Sequence, residues 1–296
     1  MKFSDQEQIT LAILPKISSA LSIMGSSFLV IKLWGEPYKT KSCKRAIWTM
    51  SAFDILCSSA WFLTTWPMEK GTVGVKFAVG NKHTCNMQGF FIQLGIAVPI
   101  LNVLLSFYYL AIIRFGTSEK KLNDRDPWIR GFVLLFPEVA ALVCLALGKF
   151  NDARLWCWIG SSQDKVFQWV LYFGPLWICF LLQMIVFWVI YSYVYRVEEK
   201  SNRFAASSHE YAKETARYAL LYMVSFFVTW IPKSAFIIWW TSFSNGNIKT
   251  EPPFGLVLAA AFCSPLQGFL NFLIYEQKTG DKFASFCCNA NYYDKV

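Results

Sequence analysis

Charge is scarce in this sequence. Only 16% of its 296 residues are Asp, Glu, Lys or Arg, where a soluble domain carries about 25%. Histidine is scarcer still, with only His83 and His209, both in polar segments. Nine cysteines include no CxxC pair, so neither a metal site nor a redox centre is expected. No nucleophile–base set appears at one depth, so no enzyme and no cofactor is expected. Low-complexity stretches are missing, and so is the repeat between halves that many transporters carry. No short apolar segment is followed by the small-residue cleavage site of a secretory signal. These absences exclude a cytosolic enzyme, a disordered chain and a nucleic-acid binder. What is present is apolar: 55% hydrophobic residues, 27 Phe and 13 Trp, with a mean hydropathy of +0.36.

A membrane-spanning helix needs about 20 mostly apolar residues. Seven segments meet that length, near Ile9–Ile31, Ala46–Trp66, Thr84–Ile113, Gly131–Leu147, Phe167–Tyr195, Tyr218–Trp240 and Phe254–Tyr275. They predict an all-α polytopic membrane protein, one seven-helix domain over 1–296, with 276–296 as a short cytoplasmic tail. The first span is expected to act as its own uncleaved signal. Lys and Arg mark cytoplasmic loops, and with the amino terminus outside, 18 of the 28 positive residues fall on the inner side. The net charge of +9 is therefore a topology signal that needs no nucleic acid. The predicted setting is the plasma membrane, amino terminus extracellular and carboxyl terminus cytoplasmic.

On that topology Cys85 and Cys157 are the two outer cysteines, in the compartment where disulfides persist. A bridge between them would tie the second outer loop across the bundle mouth; two unpaired thiols are the alternative. Lys16, Asp54, Glu138 and Lys233 lie inside spans, where an ionisable group must face the interior, pair or snorkel. Lys16 either snorkels or meets an anionic ligand. Lys233, after Trp230-Ile231-Pro232, either meets an anionic ligand, or pairs with Glu138 or snorkels. Asp54 needs hydrogen-bond partners, with Ser264 and Asn271 as candidates. Together Asp54, Glu138, Ser264 and Asn271 form a candidate polar switch, or a set of structural contacts.

Proline punctuates the spans at Pro15, Pro99, Pro137, Pro175, Pro232 and Pro265, predicting bends and cavities. Ser207 with Glu210 three residues later reads as a capping box, so the sixth helix is expected to start well inside the cytoplasmic boundary. Phe283, Phe286, Cys287 and Cys288 beside Lys278 and Lys282 predict a short amphipathic carboxyl-terminal helix, with Cys287 and Cys288 as candidate palmitoylation sites. Small residues occur in the spans, but no Gly-x-x-x-Gly face stands out.

Leu155-Trp-Cys-Trp-Ile-Gly160, Phe167-Gln-Trp-Val-Leu-Tyr-Phe-Gly-Pro175 and Leu135-Phe-Pro137 resemble the cyclic-AMP-receptor family (class E) of G-protein-coupled receptors. Pro265-Leu-Gln-Gly-Phe-Leu-Asn-Phe-Leu273 resembles the seventh span shared by cyclic-AMP-like and secretin-like receptors. The resemblance covers most of the spanning region at low similarity. It implies a receptor that activates a heterotrimeric G protein. The third span ends Leu110-Ala-Ile-Ile-Arg-Phe115 instead of in Asp-Arg-Tyr, and the seventh has no Asn-Pro-x-x-Tyr; both depart from rhodopsin-like receptors. The seventh span has no lysine for a retinal Schiff base, and the long Ser/Thr-rich tail of some cyclic-AMP receptors is missing.

The expected function is reception of a small extracellular ligand, a cyclic nucleotide or other anion, under the Cys157 loop. Lys16, Gln93, Trp158, Trp230 and Lys233 are the candidate ligand-binding residues, the lysines for charge and the aromatics for stacking. Binding would swing the sixth helix outward. The alternative is a transporter or channel using Asp54, Glu138 and Lys233 as a polar pathway.

Overall fold

Inside a bilayer every backbone N–H and C=O must be satisfied within the chain, and apolar runs of this length answer that as helices. The computed structural model describes residues 3–34, 42–72, 75–153, 155–160, 165–201, 207–243 and 252–280. The helices are α1 (Asp5–Trp34), α2 (Ser42–Leu63), α3 (Lys82–Leu94), α4 (Ala97–Phe115), α5 (Glu119–Ala146), α6 (Lys165–Gln168), α7 (Gly174–Ser201), α8 (Ser207–Phe243), α9 (Phe254–Cys263) and α10 (Gln267–Gly280). Six spans are long and apolar enough to cross a membrane, α3 with α4 counting as one and α6 to α7 as another. The pair α9 and α10, bent by 52° at the break between them, makes a seventh when counted as one span. The protein is a helical membrane bundle.

Each irregularity follows from a proline's missing N–H. Pro99 leaves the Gly95 carbonyl without its helical donor, and that carbonyl instead accepts from Val98 N at 3.1 Å in the break between α3 and α4. Gly95 is required there, because a Cβ would lie 2.4 Å from Cys57 Sγ. Gly174-Pro175 widens the fifth span into a π-turn over Trp169–Phe173, closed by Gly174 N donating to Trp169 O. Pro265 separates α9 from α10.

The sixth helix begins at Ser207, where the capping signal places it; the side chains of that cap lie outside the described residues. So do Cys287, Cys288 and the expected amphipathic tail helix. The fourth helix departs from the sequence expectation, starting at Glu119 rather than Gly131. Its polar first turns carry no apolar run, yet they are held by Asp126, which accepts from Arg45 Nε at 2.8 Å and Tyr108 Oη at 2.9 Å and lies 3.4 Å from Arg130.

Among the described residues, the two largest of four apolar clusters fill most of the bundle. One, under the α4–α5 connection, centres on Met50, Leu101, Tyr109 and Tyr222. The other, at the opposite end, joins Trp61, Ile92, Phe173 and Phe226 beneath a hairpin of β1 (Phe150–Asp152) and β2 (Cys157–Ile159). Cys85 and Cys157 are disulfide-bonded, which ties β2 to the start of α3. The third span is the most enclosed and the fourth the least, with most of α5 facing outward.

Near the ends of α1 and α10 away from the hairpin, Lys32 donates to Glu276 at 2.6 Å. Both side chains are about one-third exposed (30% and 37%), so the pair is worth at most about 1 kcal/mol. Glu276→Gln is accordingly expected to leave the melting temperature in nanodiscs nearly unchanged; a large drop would assign the pair a buried role.

Candidate ligand pocket beneath the hairpin

The π-turn sets the geometry of the site. Pro175 cannot donate to the Leu171 carbonyl, and Gln93 Nε2 supplies the missing donor at 2.9 Å. The other end of the same amide, Oε1, accepts from Trp158 Nε1 at 2.9 Å. Gln93 is fully buried and so locks the hairpin to both the third and fifth spans. Gln88, one helical face higher, repeats the device. Its Nε2 donates to Ala60 O at 3.0 Å and Thr64 O at 2.7 Å, while Oε1 accepts from Cys157 N at 2.8 Å. Trp158 in turn meets Tyr172 and Phe173 edge-on, with centroids 5.0 and 5.4 Å away.

Beneath this roof lies a cavity of about 110 Å³. Its walls include Ile92, Trp156, Trp158, Phe173, Phe236 and Ile237, with Gln168, Lys233 and Ser264 as the polar groups. Lys233 is 8% exposed. Its Nζ donates to Tyr172 Oη at 2.6 Å and sits 4.5, 5.0 and 5.1 Å from the centroids of Tyr172, Trp230 and Trp61. Among the described residues no carboxylate forms an ion pair with it. A buried ammonium held only by a phenol and aromatic faces is under-compensated.

The candidate residues named from sequence divide. Lys233 and Trp158 line the cavity; Trp230 is buried below it as part of the ammonium's aromatic cage. Gln93 positions Trp158 instead of lining the cavity. Lys16 turns away: its Nζ donates to Phe62 O at 2.9 Å and Leu63 O at 3.4 Å, and lies 3.5 Å from the Trp66 ring centroid. The last carbonyls of α2 lack helical donors and carry the negative end of the helix dipole, so they capture this cation. Among the described residues no second lysine lines the pocket.

The expected polar switch also divides. Asp54 is buried with Oδ2 lacking a hydrogen-bond partner, and Asn271 is within its reach. Ser264 instead donates to Ala260 O at 2.6 Å, within its own helix. Glu138 is exposed on the outer face of α5, so the ion pair to Lys233 does not form. Asp54, Glu138 and Lys233 therefore do not line one route, because only two of them are inside. The interior polar set is built on Gln267, which the sequence reading did not single out. It accepts from Thr229 Oγ1 at 2.5 Å and donates to Ser225 Oγ at 3.1 Å and Asn271 Oδ1 at 3.0 Å. Gln88, Gln267 and the Gln183–Asn102 contact at 3.0 Å share one signal, a glutamine inside an otherwise apolar run. Tyr172 carried no signal beyond its place before Gly174-Pro175.

No family model matches the chain. Over 281 residues, 94% of its length, it is 22% identical to "Cyclic AMP receptor-like protein A" of Dictyostelium discoideum, covering 67% of that protein. Over 194 residues, 62% of its length, it is 26% identical to "G-protein coupled receptor 157" of Mus musculus, covering 55% of it. Both similarities agree with the helical bundle: the chain is a receptor-like membrane protein and not an enzyme.

Proposed function

We propose that the chain is a cell-surface receptor of the cyclic-AMP-receptor-like, class E kind, with secretin-like features in its seventh span. It takes a small extracellular anion in the pocket beneath the hairpin and signals to a heterotrimeric G protein. The observation that carries this reading is Lys233, a buried ammonium with no carboxylate partner among the described residues, at the wall of a cavity. The cyclic nucleotide suggested by the resemblance is one such anion. The loop distribution of Lys and Arg supports placing the hairpin outside, with the terminus after α10 in the cytoplasm.

In this reading the ligand shifts an existing equilibrium towards a state with α8 displaced outward. One contact that such a movement breaks is Tyr218 Oη donating to Gln277 O at 3.3 Å, between α8 and α10. Tyr218→Phe is therefore expected to raise basal G-protein activation severalfold; unchanged or lower basal activity would remove this contact from the resting state.

The deciding experiment is G-protein dissociation in cells expressing the full chain, with extracellular cyclic AMP and Lys233→Ala as the comparison. A dose-dependent response weakened by Lys233→Ala supports the receptor and its anion site. Raised basal activity without a cyclic-AMP response keeps the receptor and discards that ligand. Silence across a competent G-protein panel, despite surface expression, overturns the reading.

A further inference from the structure

We propose that this pocket takes the carboxylate of a small apolar acid, one aromatic ring or a branched alkyl group in size, in preference to a nucleotide. This rests on reading the pocket as the ligand site. Among the described residues its charge is single: Lys233 is the one lysine or arginine of the lining, and Lys16 is committed to the end of α2. One ammonium balances one negative charge, which disfavours a dianion; a carboxylate and a cyclic phosphodiester each carry one, so the rest of the lining decides between them.

The rest of the lining points to an apolar body. Trp156, Trp158, Phe173, Phe236 and Ile237 surround the space. The polar side chains that reach it are few, and each has already committed a donor: Gln168 donates to Ile159 O, Ser264 to Ala260 O and Trp158 to Gln93. The hydroxyls and base nitrogens of a nucleotide outnumber the polar atoms left to meet them, and each group left unsatisfied costs about 1–3 kcal/mol. The volume of about 110 Å³ is below the roughly 150 Å³ of an apolar cavity that holds benzene, so a ring or a branched alkyl group is the upper limit of what it encloses and a nucleotide exceeds it. Tyr172 completes the arrangement. Its phenol oxygen occupies one donor of the ammonium at 2.6 Å, leaving the others for a carboxylate.

The test is equilibrium binding of radiolabelled phenylacetate to the full chain in lipid nanodiscs, with phenylacetamide as the neutral isostere and cyclic AMP as competitor. Saturable phenylacetate binding is expected. It should weaken at least about tenfold when the amide replaces the acid or Lys233→Met removes the charge, the size of a charge-assisted hydrogen bond. Cyclic AMP should compete less well than unlabelled phenylacetate. Tyr172→Phe frees a donor and should retain or tighten binding. The thermal melt separates lost ligation from lost folding: removing an unpaired buried charge from an aromatic cage should not lower the melting temperature of Lys233→Met. The proposal is overturned by the absence of saturable binding in both wild type and Tyr172→Phe. Equal affinity for acid and amide, tighter cyclic-AMP binding, or a loss in Tyr172→Phe as deep as in Lys233→Met would each overturn it too. No G protein enters this assay. Phenylacetate binding with no signalling therefore defeats only the receptor reading, and cyclic-AMP signalling without phenylacetate binding defeats only this one.

Discussion

Asp126→Ala is expected to cost about 3–5 kcal/mol, the usual penalty for removing one partner from a buried ionic group. The carboxylate is fully buried and holds together three spans. Arg45 reaches it from α2, Tyr108 from α4, and Arg130 from one turn further along α5. Without it two guanidinium groups, only 10% and 15% exposed, lose their counter-charge. Their remaining hydrogen bonds go to neutral atoms: Arg45 to Asn123, and Arg130 Nη1 to Thr49 Oγ1 at 3.2 Å. The measurement is a thermal melt of purified protein, where a loss of this size lowers the midpoint by roughly 10 °C. Arg45→Met alone should cost less, since Arg130 still pairs with Asp126. The combined replacement Asp126→Leu, Arg45→Met and Arg130→Met should recover much of the loss, because no charge is then left unpaired. A drop below about 1 kcal/mol for Asp126→Ala would mean that both arginines find water or phosphate headgroups, as surface pairs do.

The second large effect belongs to Gly268. A Cβ there would lie 2.1 Å from Ser26 Oγ and 2.5 Å from Ser22 Oγ, with Ser22 O at 3.1 Å. Gly25 faces the same seam, where a Cβ would meet Phe272 Cβ at 3.0 Å and Phe269 Cα at 3.1 Å. The backbones of α1 and α10 thus approach until Gly268 N can donate to Ser22 Oγ at 3.1 Å. Close approach through small residues is how helices associate where lipid supplies no hydrophobic drive. Gly268→Ala should cost the upper part of about 1–3 kcal/mol, and Gly268→Leu should part the helices and abolish surface expression. Adding Ser26→Gly to Gly268→Ala removes the nearest clash and should restore part of the folded population in a detergent melt. If Gly268→Leu reached the surface at normal levels, the seam would not be the contact that holds α1.

The long apolar helices were legible because hydrocarbon thickness imposes a length on apolar runs; of the prolines expected to bend the spans, Pro99, Pro175 and Pro265 lie at irregular turns, while Pro15, Pro137 and Pro232 lie inside continuous helices. The polar helical turns Glu119–Arg130 ahead of the expected fourth span were not legible, because Asp126 holds them through Arg45 and Tyr108, residues that only the fold brings near. In the site, Lys233 was legible because an ammonium beside a proline in an apolar span is costly. The direction of Lys16 was not, since it depends on where α2 ends relative to α1. Gln93 could be noticed from its composition, but its role follows from a carbonyl that Pro175 leaves free 78 residues away. Periodicity carries no such long-range pairing.

The glutamine-centred set in the bundle interior has a consequence for how the chain is assembled. Spans enter the membrane in chain order, and the second brings Asp54 while the sixth brings Ser225 and Thr229. Their interior partners, Asn271 and Gln267, arrive only with the seventh. In a nascent chain stopped after the sixth span Ser225 and Thr229 still donate to carbonyls of their own helix, but Asp54 lacks Asn271, and hydrocarbon penalises a carboxyl group without a partner by several kcal/mol. Insertion of the last helix is the event that closes the interior, and chains arrested before it should be retained and degraded during biogenesis.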